Sequence, residues 1–252
     1  MGKKFILTDK FVINSFGIKL FQIKCTKSFK YAQKGDFGGY VEKEGNLDQE
    51  NDAWVSDNAW VSSNAWVSGD ALVSGYARVS GDAWVSDNAR VSDNARVSDN
   101  AWVSSNAWVS GDALVSGYAR VSDNARVSDN ARVSGDAWVS DNARVSGDAW
   151  VSGDARVSGN ARVSGDAWVS GDADIENDNE HCGFDGFGSC NRHTHAYMTK
   201  EKKVEIICGC FRGSIEEFEK KVEETHSGTV YEKQYKSIIN VIKIKFGLTD
   251  FT

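Results

Sequence analysis

Residues 57–80 read DNAWVSSNAWVSGDALVSGYARVS, and residues 99–122 repeat them letter for letter. A verbatim run of 24 residues, 42 positions downstream, marks a chain assembled from copies. The structural unit is shorter than the copy. Alanine recurs every six residues from Ala53 to Ala173, giving 21 hexads with the consensus A-(W/R/L)-V-S-(G/D)-(D/N). Short repeats cannot bury a face alone and must stack on their neighbours to build a core. Within A-x-V the side chains alternate, so Ala and Val point one way and Trp, Arg or Leu the other. The S-G-D or S-D-N that follows supplies Gly, Asp and Asn, which tolerate the left-handed backbone of a sharp corner. Each hexad therefore predicts a short strand and a corner.

The phrases VSGDAR and VSDNAW place an aliphatic residue, a small or acidic one, two free positions, a small residue and a free one in order. This pattern resembles the motif of the hexapeptide-repeat family, over about half the chain. The resemblance implies a mainly-β fold, a left-handed parallel β-helix with three hexads per triangular coil; a right-handed or two-sided solenoid is the structural alternative. The 21 hexads then make seven coils, roughly 33 Å long at about 4.8 Å per rung. Such a stack leaves two open sheet ends that need capping.

The flanks read as those caps. Residues 1–48 form a β-rich N-terminal cap, with β-like runs FVINSF and IKLFQIKC and a turn at KGDFGGY. The solenoid occupies 49–176, and an α+β module follows over 177–252. In that module HAYMTKEKKVEIICGC reads as a hairpin. The segment SIEEFEKKVEETHSG opens on a capping box, Ser214 to Glu217, and TVYEKQYKSIINVIKIKF repeats the device with Thr229 and Glu232. Ile215, Phe218 and Val222, then Tyr235, Ile238, Ile239 and Ile242, give each helix an apolar stripe. KGDFGGYVEKEGNL before the repeats and CGCFRGSIEEFEKKVEETHSG after them resemble uncharacterised phage and prophage proteins with Asn-Ala-x-Val-x-Gly repeats. That resemblance implies a viral or mobile-element origin and no established activity.

Charge is unevenly placed. All 18 Lys lie within 3–43 or 200–245, while residues 52–172 hold 16 Asp, 9 Arg, no Glu and no Lys. The net charge of −7 belongs to this middle segment. Direct binding to nucleic acid is disfavoured by that sign. DNA mimicry by Asp ladders is weakened by the interleaved Arg, and solvated corners explain the Asp better. No apolar run approaches the length of about 18 residues that spans a membrane. Five Cys at scattered spacings, without an export signal, predict reduced thiols and a cytoplasmic setting.

If residues 18 apart stack, all nine Trp stand outside, and one face reads Trp66, Trp84, Trp102, Arg120, Trp138, Arg156 and Asp174. The Trp and Arg of this face are the candidate binding stripe, because both residues are favoured at interfaces. A protein partner or self-association into a homo-oligomer is the expected use. Stacking and cation–π pairing between rungs are the alternative use for the same residues.

Many hexapeptide-repeat proteins are acyltransferases with a catalytic His and an extruded loop. Residues 53–173 contain no His, Cys or Lys and no inserted loop, so a general base is missing. The chain is expected not to be an enzyme, and no cofactor is expected. The remaining chemistry lies after the repeats, at His181, Cys182, Cys190, His193, His195, Cys208, Cys210 and His226. These are zinc-ligand types, yet H-C, C-x2-H-x-H and C-x-C match no standard zinc pairing. Arg192, Thr194, Cys208, Cys210 and Arg212 are candidates for holding a small anionic ligand. The expected role is a structural or protein-interaction scaffold; its rival is a phage counter-defence protein that binds a host factor or nucleotide through the terminal module.

Overall fold

The computed structural model describes residues 2–248. Every hexad contributes one two-residue strand, from β4 (Trp54–Val55) to β24 (Asp174–Ile175). Strands 18 residues apart pair in parallel, so Val91 lies between Val73 and Val109. They sort into three parallel stacks of seven. The hexad Ala and Val line the interior at or close to zero exposure. The corner residue after each Ser sits at positive φ, as at Asp57 (56°), Gly75 (68°) and Asp93 (59°). The chain is a mainly-β solenoid with a small helical module at its C-terminal end.

The copied stretch is rotated as an 18-residue turn requires. Trp60 belongs to one stack, whereas its counterpart Trp102 belongs to another.

The N-terminal segment adds to the winding instead of merely closing it. Strands β1 (Phe5–Ile13), β2 (Lys19–Cys25) and β3 (Phe37–Val41) extend one stack to ten strands. β1–β2 and β2–β3 are antiparallel, while β3 runs parallel to β5 (Trp60–Val61), with Tyr40 opposite Trp60 and Val41 opposite Val61. Leu47 bridges Val67 in parallel on a second side. The solenoid has about eight turns where the hexad count predicts seven. Of KGDFGGY, predicted as a turn, Lys34 and Gly35 do turn, whereas Phe37–Tyr40 begin β3. Gly38 and Gly39 are there for close approach: a Cβ on Gly39 would lie 2.5 Å from the Ala59 carbonyl oxygen and 2.8 Å from Val55 Cγ1. The cap also corrects the expectation that every Trp faces out. Trp54 is buried, with Phe29 packed edge-on against it at 5.3 Å.

Each rung donates upward, as when Trp102 N–H meets Ala119 O at 2.9 Å and Ser104 N–H meets Val121 O at 3.0 Å. The first rung is therefore left with orphan carbonyls and the last with orphan amides, and both must be satisfied. At the first rung Tyr40 N–H donates to Ala59 O, Glu42 N–H to Val61 O and Asp48 N–H to Val67 O. Lys4 Nζ donates to Ala53 O at 2.8 Å and the buried Asn46 Nδ2 to Ala65 O at 2.9 Å. At the far end the Asp178 carboxylate accepts from Arg162 N–H and the Glu180 carboxylate from Glu176 N–H. A cation meets the carbonyl end and carboxylates meet the amide end, so each cap matches the polarity of the edge it covers.

The acidic corners have a backbone task. Asp57, Asp93 and Asp129 turn a carboxylate to the N–H of Gly75, Gly111 and Gly147 on the next rung, at 3.1–3.2 Å. Asp and Gly alternate up this column, so no two carboxylates occupy consecutive rungs of it from Asp57 to Gly147. Where Asp123 and Asp141 do stack on neighbouring rungs, the bond lengthens to 3.5 Å. Left-handed backbone favours Gly over Ala, and the Asp carboxylate offsets that penalty. D129A is expected to lose about 1–2 kcal/mol, and D129G to stay within about 0.5 kcal/mol. Urea midpoints of the two variants check this; equal losses would remove the carboxylate from the account.

Beyond the solenoid, β25 (His181–Phe187), β26 (Arg192–Met198), β27 (Val204–Cys208) and β28 (Phe211–Ser214) form an antiparallel meander. One face meets the last turn, where Tyr197 Oη donates to Ser170 O at 3.2 Å. The other carries α1 (Ile215–His226) and α2 (Val230–Lys245), whose predicted apolar stripes are buried. Ser214 and Glu217 form the capping box. At α2 Thr229 accepts from Glu232 N–H, but the Glu232 carboxylate accepts from Gly228 N–H instead of closing a box. Among the described residues no helix is long and apolar enough to cross a membrane.

Candidate functional site

Two regions bring the candidate residues together. The first is the outer wall of the stack running from β6 (Trp66–Val67) to β24. Trp66, Trp84, Trp102, Arg120, Trp138 and Arg156 stand in register there, all exposed, and Asp174 ends the row. The four Trp remain 39–48 % accessible. Their mobility is nevertheless restricted. Trp84 and Trp102 lie parallel with centroids 5.1 Å apart. Arg120 sits 6.0 Å from the Trp102 ring and Arg156 5.8 Å from Trp138. The indole N–H groups of Trp84 and Trp138 donate to Ser68 and Ser122 at 3.2 Å. Stacking and hydrogen bonding thus fix rings that still face solvent. A surface already fixed loses little side-chain entropy when it is covered.

The second region is in the C-terminal module. Arg192 begins β26, Cys208 ends β27 and Cys210 lies in the tight turn before β28. These three converge on a cavity of about 280 Å³. Helix α1 adds Lys221 and His226 to its lining, and α2 adds Tyr235. The two remaining candidates point elsewhere. Thr194 is buried and donates to Cys208 Sγ at 3.3 Å. Arg212 pairs with Glu205 and lies over the Gly171 corner of the last turn. Burial, helped by the Cys208 neighbour, raises the Tyr235 phenol well above its usual range, so it stays a donor. Cys208 Sγ is 3.7 Å from the Tyr235 oxygen.

The zinc-type residues do not assemble. Strand alternation sends His181, His193 and His195 towards the solenoid, while Cys182 and Cys208 pack with the helices. Among the described residues no three His, Cys, Asp or Glu are placed to hold a metal ion. His181 Nδ1 and His195 Nε2 instead share a hydrogen bond of 3.1 Å. Burial, with the two neighbouring imidazoles, pushes His195 down to about 3, and burial pushes the Cys182 thiol up to about 11. Lys221 went unnamed in the sequence, His226 stood there only as a zinc-type residue and Tyr235 only in an apolar stripe, since helical periodicity shows which face is apolar but not what it encloses.

Segments 89–105, 119–135, 125–141, 137–153 and 155–171 match the YdcK beta solenoid repeat. The walls are similar to a known solenoid repeat. Each YdcK match starts on a hexad Ala and spans 17 residues, one short of a full 18-residue turn. The starts fall on different faces of the solenoid, which fits a wall whose hexads are interchangeable. The YdcK match carries no activity with it. No curated protein matches the chain.

Proposed function

We propose that this chain is a non-enzymatic scaffold, a left-handed hexapeptide-type solenoid of phage origin that associates through the Trp/Arg stripe, with a second copy of itself as the partner. One observation carries the proposal. Trp66, Trp84, Trp102 and Trp138, the largest apolar side chains available, stand 39–48 % accessible on one wall. Clustered exposed apolar surface of this kind marks interaction sites. The stripe also has a direction, with Trp at its first three rungs and Arg at the fourth and sixth. A two-fold antiparallel pair sets the Trp-rich half of one copy against the Arg-rich half of the other, an isologous contact with cation–π complementarity. The absence of His, Cys and Lys from 53–173 supports a role without catalysis in the walls. Five free thiols support a reducing, cytoplasmic setting.

Light scattering across a concentration series tests the reading. The wild-type chain is expected to dimerise, and W84S/W102S to dissociate at least about tenfold more readily, which is about 1.4 kcal/mol. Far-UV circular dichroism should stay unchanged, because both indoles point outward. A wild-type chain that stays monomeric throughout would overturn the proposal.

A further inference from the structure

We infer that the cavity between the β27–β28 turn and helices α1 and α2 is a binding site for a small organic anion with a planar apolar body. This goes beyond the scaffold reading and does not depend on it. The charge of the lining is the first support. Arg192 and Lys221 contribute to the wall and no carboxylate does. A concavity lined by cations and no carboxylate focuses anions.

Arg192 is the second. Among the described residues it has no carboxylate within ion-pair distance, whereas Arg212 is paired with Glu205 and Lys221 has Glu224 at 3.8 Å. Its guanidinium is exposed and stands beside Cys210. It lies over Gly209, at φ +60°, where a Cβ would come within 2.4 Å of Nη1. A guanidinium without a carboxylate partner matches a carboxylate or phosphate in a two-bond fork.

The walls give the rest of the ligand. Phe211 and Phe218 have centroids 5.0 Å apart, Phe218 and Tyr235 meet edge to face at 5.6 Å, and His226 stacks on Tyr235 at 5.5 Å. These rings give the cavity an apolar wall beside its cations. A cavity of about 280 Å³ lies just below the common range of ligand sites, which begins near 300 Å³. That size suits a single ring bearing one anionic group.

Cys190 and Cys210 are exposed at this cavity and serve as reporters. In the full-length chain, the test compares alkylation by iodoacetate, an anion, with alkylation by neutral iodoacetamide, read at each cysteine by peptide mass spectrometry. In both reactions the thiolate displaces iodide as an S–C bond forms. The ratio of iodoacetate to iodoacetamide rates at Cys210 is expected to fall about tenfold in R192Q, the loss of one charge-assisted contact. Benzoate should protect Cys190 and Cys210 in the wild type, and benzamide should not. K221A supplies a second variant on a separate element, expected to lower the ratio in the same direction. Ratios unchanged in both variants, or equal protection by benzoate and benzamide, would overturn the site.

Discussion

Replacing Gly39 by valine strips the N-terminal cap from the first rung and makes the chain associate end to end. A Cβ at this position meets the Ala59 carbonyl oxygen at 2.5 Å, and a backbone atom cannot swing aside as a side chain tip can. β3 must retreat from β5, and the hydrogen bonds from Tyr40 N–H to Ala59 O and from Glu42 N–H to Val61 O go with it. Overpacking of this kind costs about 1–3 kcal/mol, and the lost bonds add about 1 kcal/mol each. The exposed edge is a row of carbonyls above a Val-lined interior, a template for another chain. Size should grow with concentration in light scattering. Limited proteolysis should open residues 14–36 while the repeats resist. A G39V protein with wild-type size and wild-type protease resistance would show that the cap does not depend on this close approach.

Acid should loosen the C-terminal module from the solenoid. His195 is buried between the meander and the last turn, facing His181, His193 and Tyr197, with the Trp168 backbone across the junction. Nearby charges are Asp178, Glu180 and Lys245 around His181, and Asp185 on His193. Its folded value of about 3 lies below the ordinary 6.5, so the folded state holds fewer protons than the unfolded state between them. Stability therefore falls as pH falls through that window, by about 1.4 kcal/mol per unit for one such group. His181 is shifted the same way by burial. Stopping at about pH 4.5 keeps most carboxylates ionised, and about 2–3 kcal/mol should be lost from pH 6.5 to that point. Urea midpoints over this range should drop for the wild type and flatten for H195Q. An H195Q profile as steep as the wild type would move the effect to other groups.

The repeat made most of the fold legible, because each hexad states its strand, its interior residues and its corner in six letters. The helices were legible for the same reason: Ser214 with Glu217, and the spacing of Ile238, Ile239 and Ile242, act within one turn of their neighbours. What stayed hidden depends on approach between distant segments. Gly38–Gly39 resembles a turn until Ala59 is known to lie against it. Trp54 resembles its eight counterparts until Phe29 covers it. β25 (HCGFDGF) and β28 (FRGS) lack an apolar alternation and become strands because β26 and β27 offer edges. At the candidate cavity, Arg192, Cys208 and Cys210 were found from their proximity to one hairpin. Arg212 lies apart from them, since one step along β28 sends it to the opposite face and to Glu205.

The 18-residue register makes the gene's copy number a mechanical setting. Adding one hexad lengthens the rod by about 1.6 Å and swings everything after it through about a third of a circle. Adding three lengthens it by about 4.8 Å and leaves the angle unchanged. The 24-residue copy begins seven hexads after its original, so it stands about 11 Å further along the rod and about 120° around it. Slippage during replication can thus dial the spacing and the bearing of the two ends separately, without altering a single residue that either end uses.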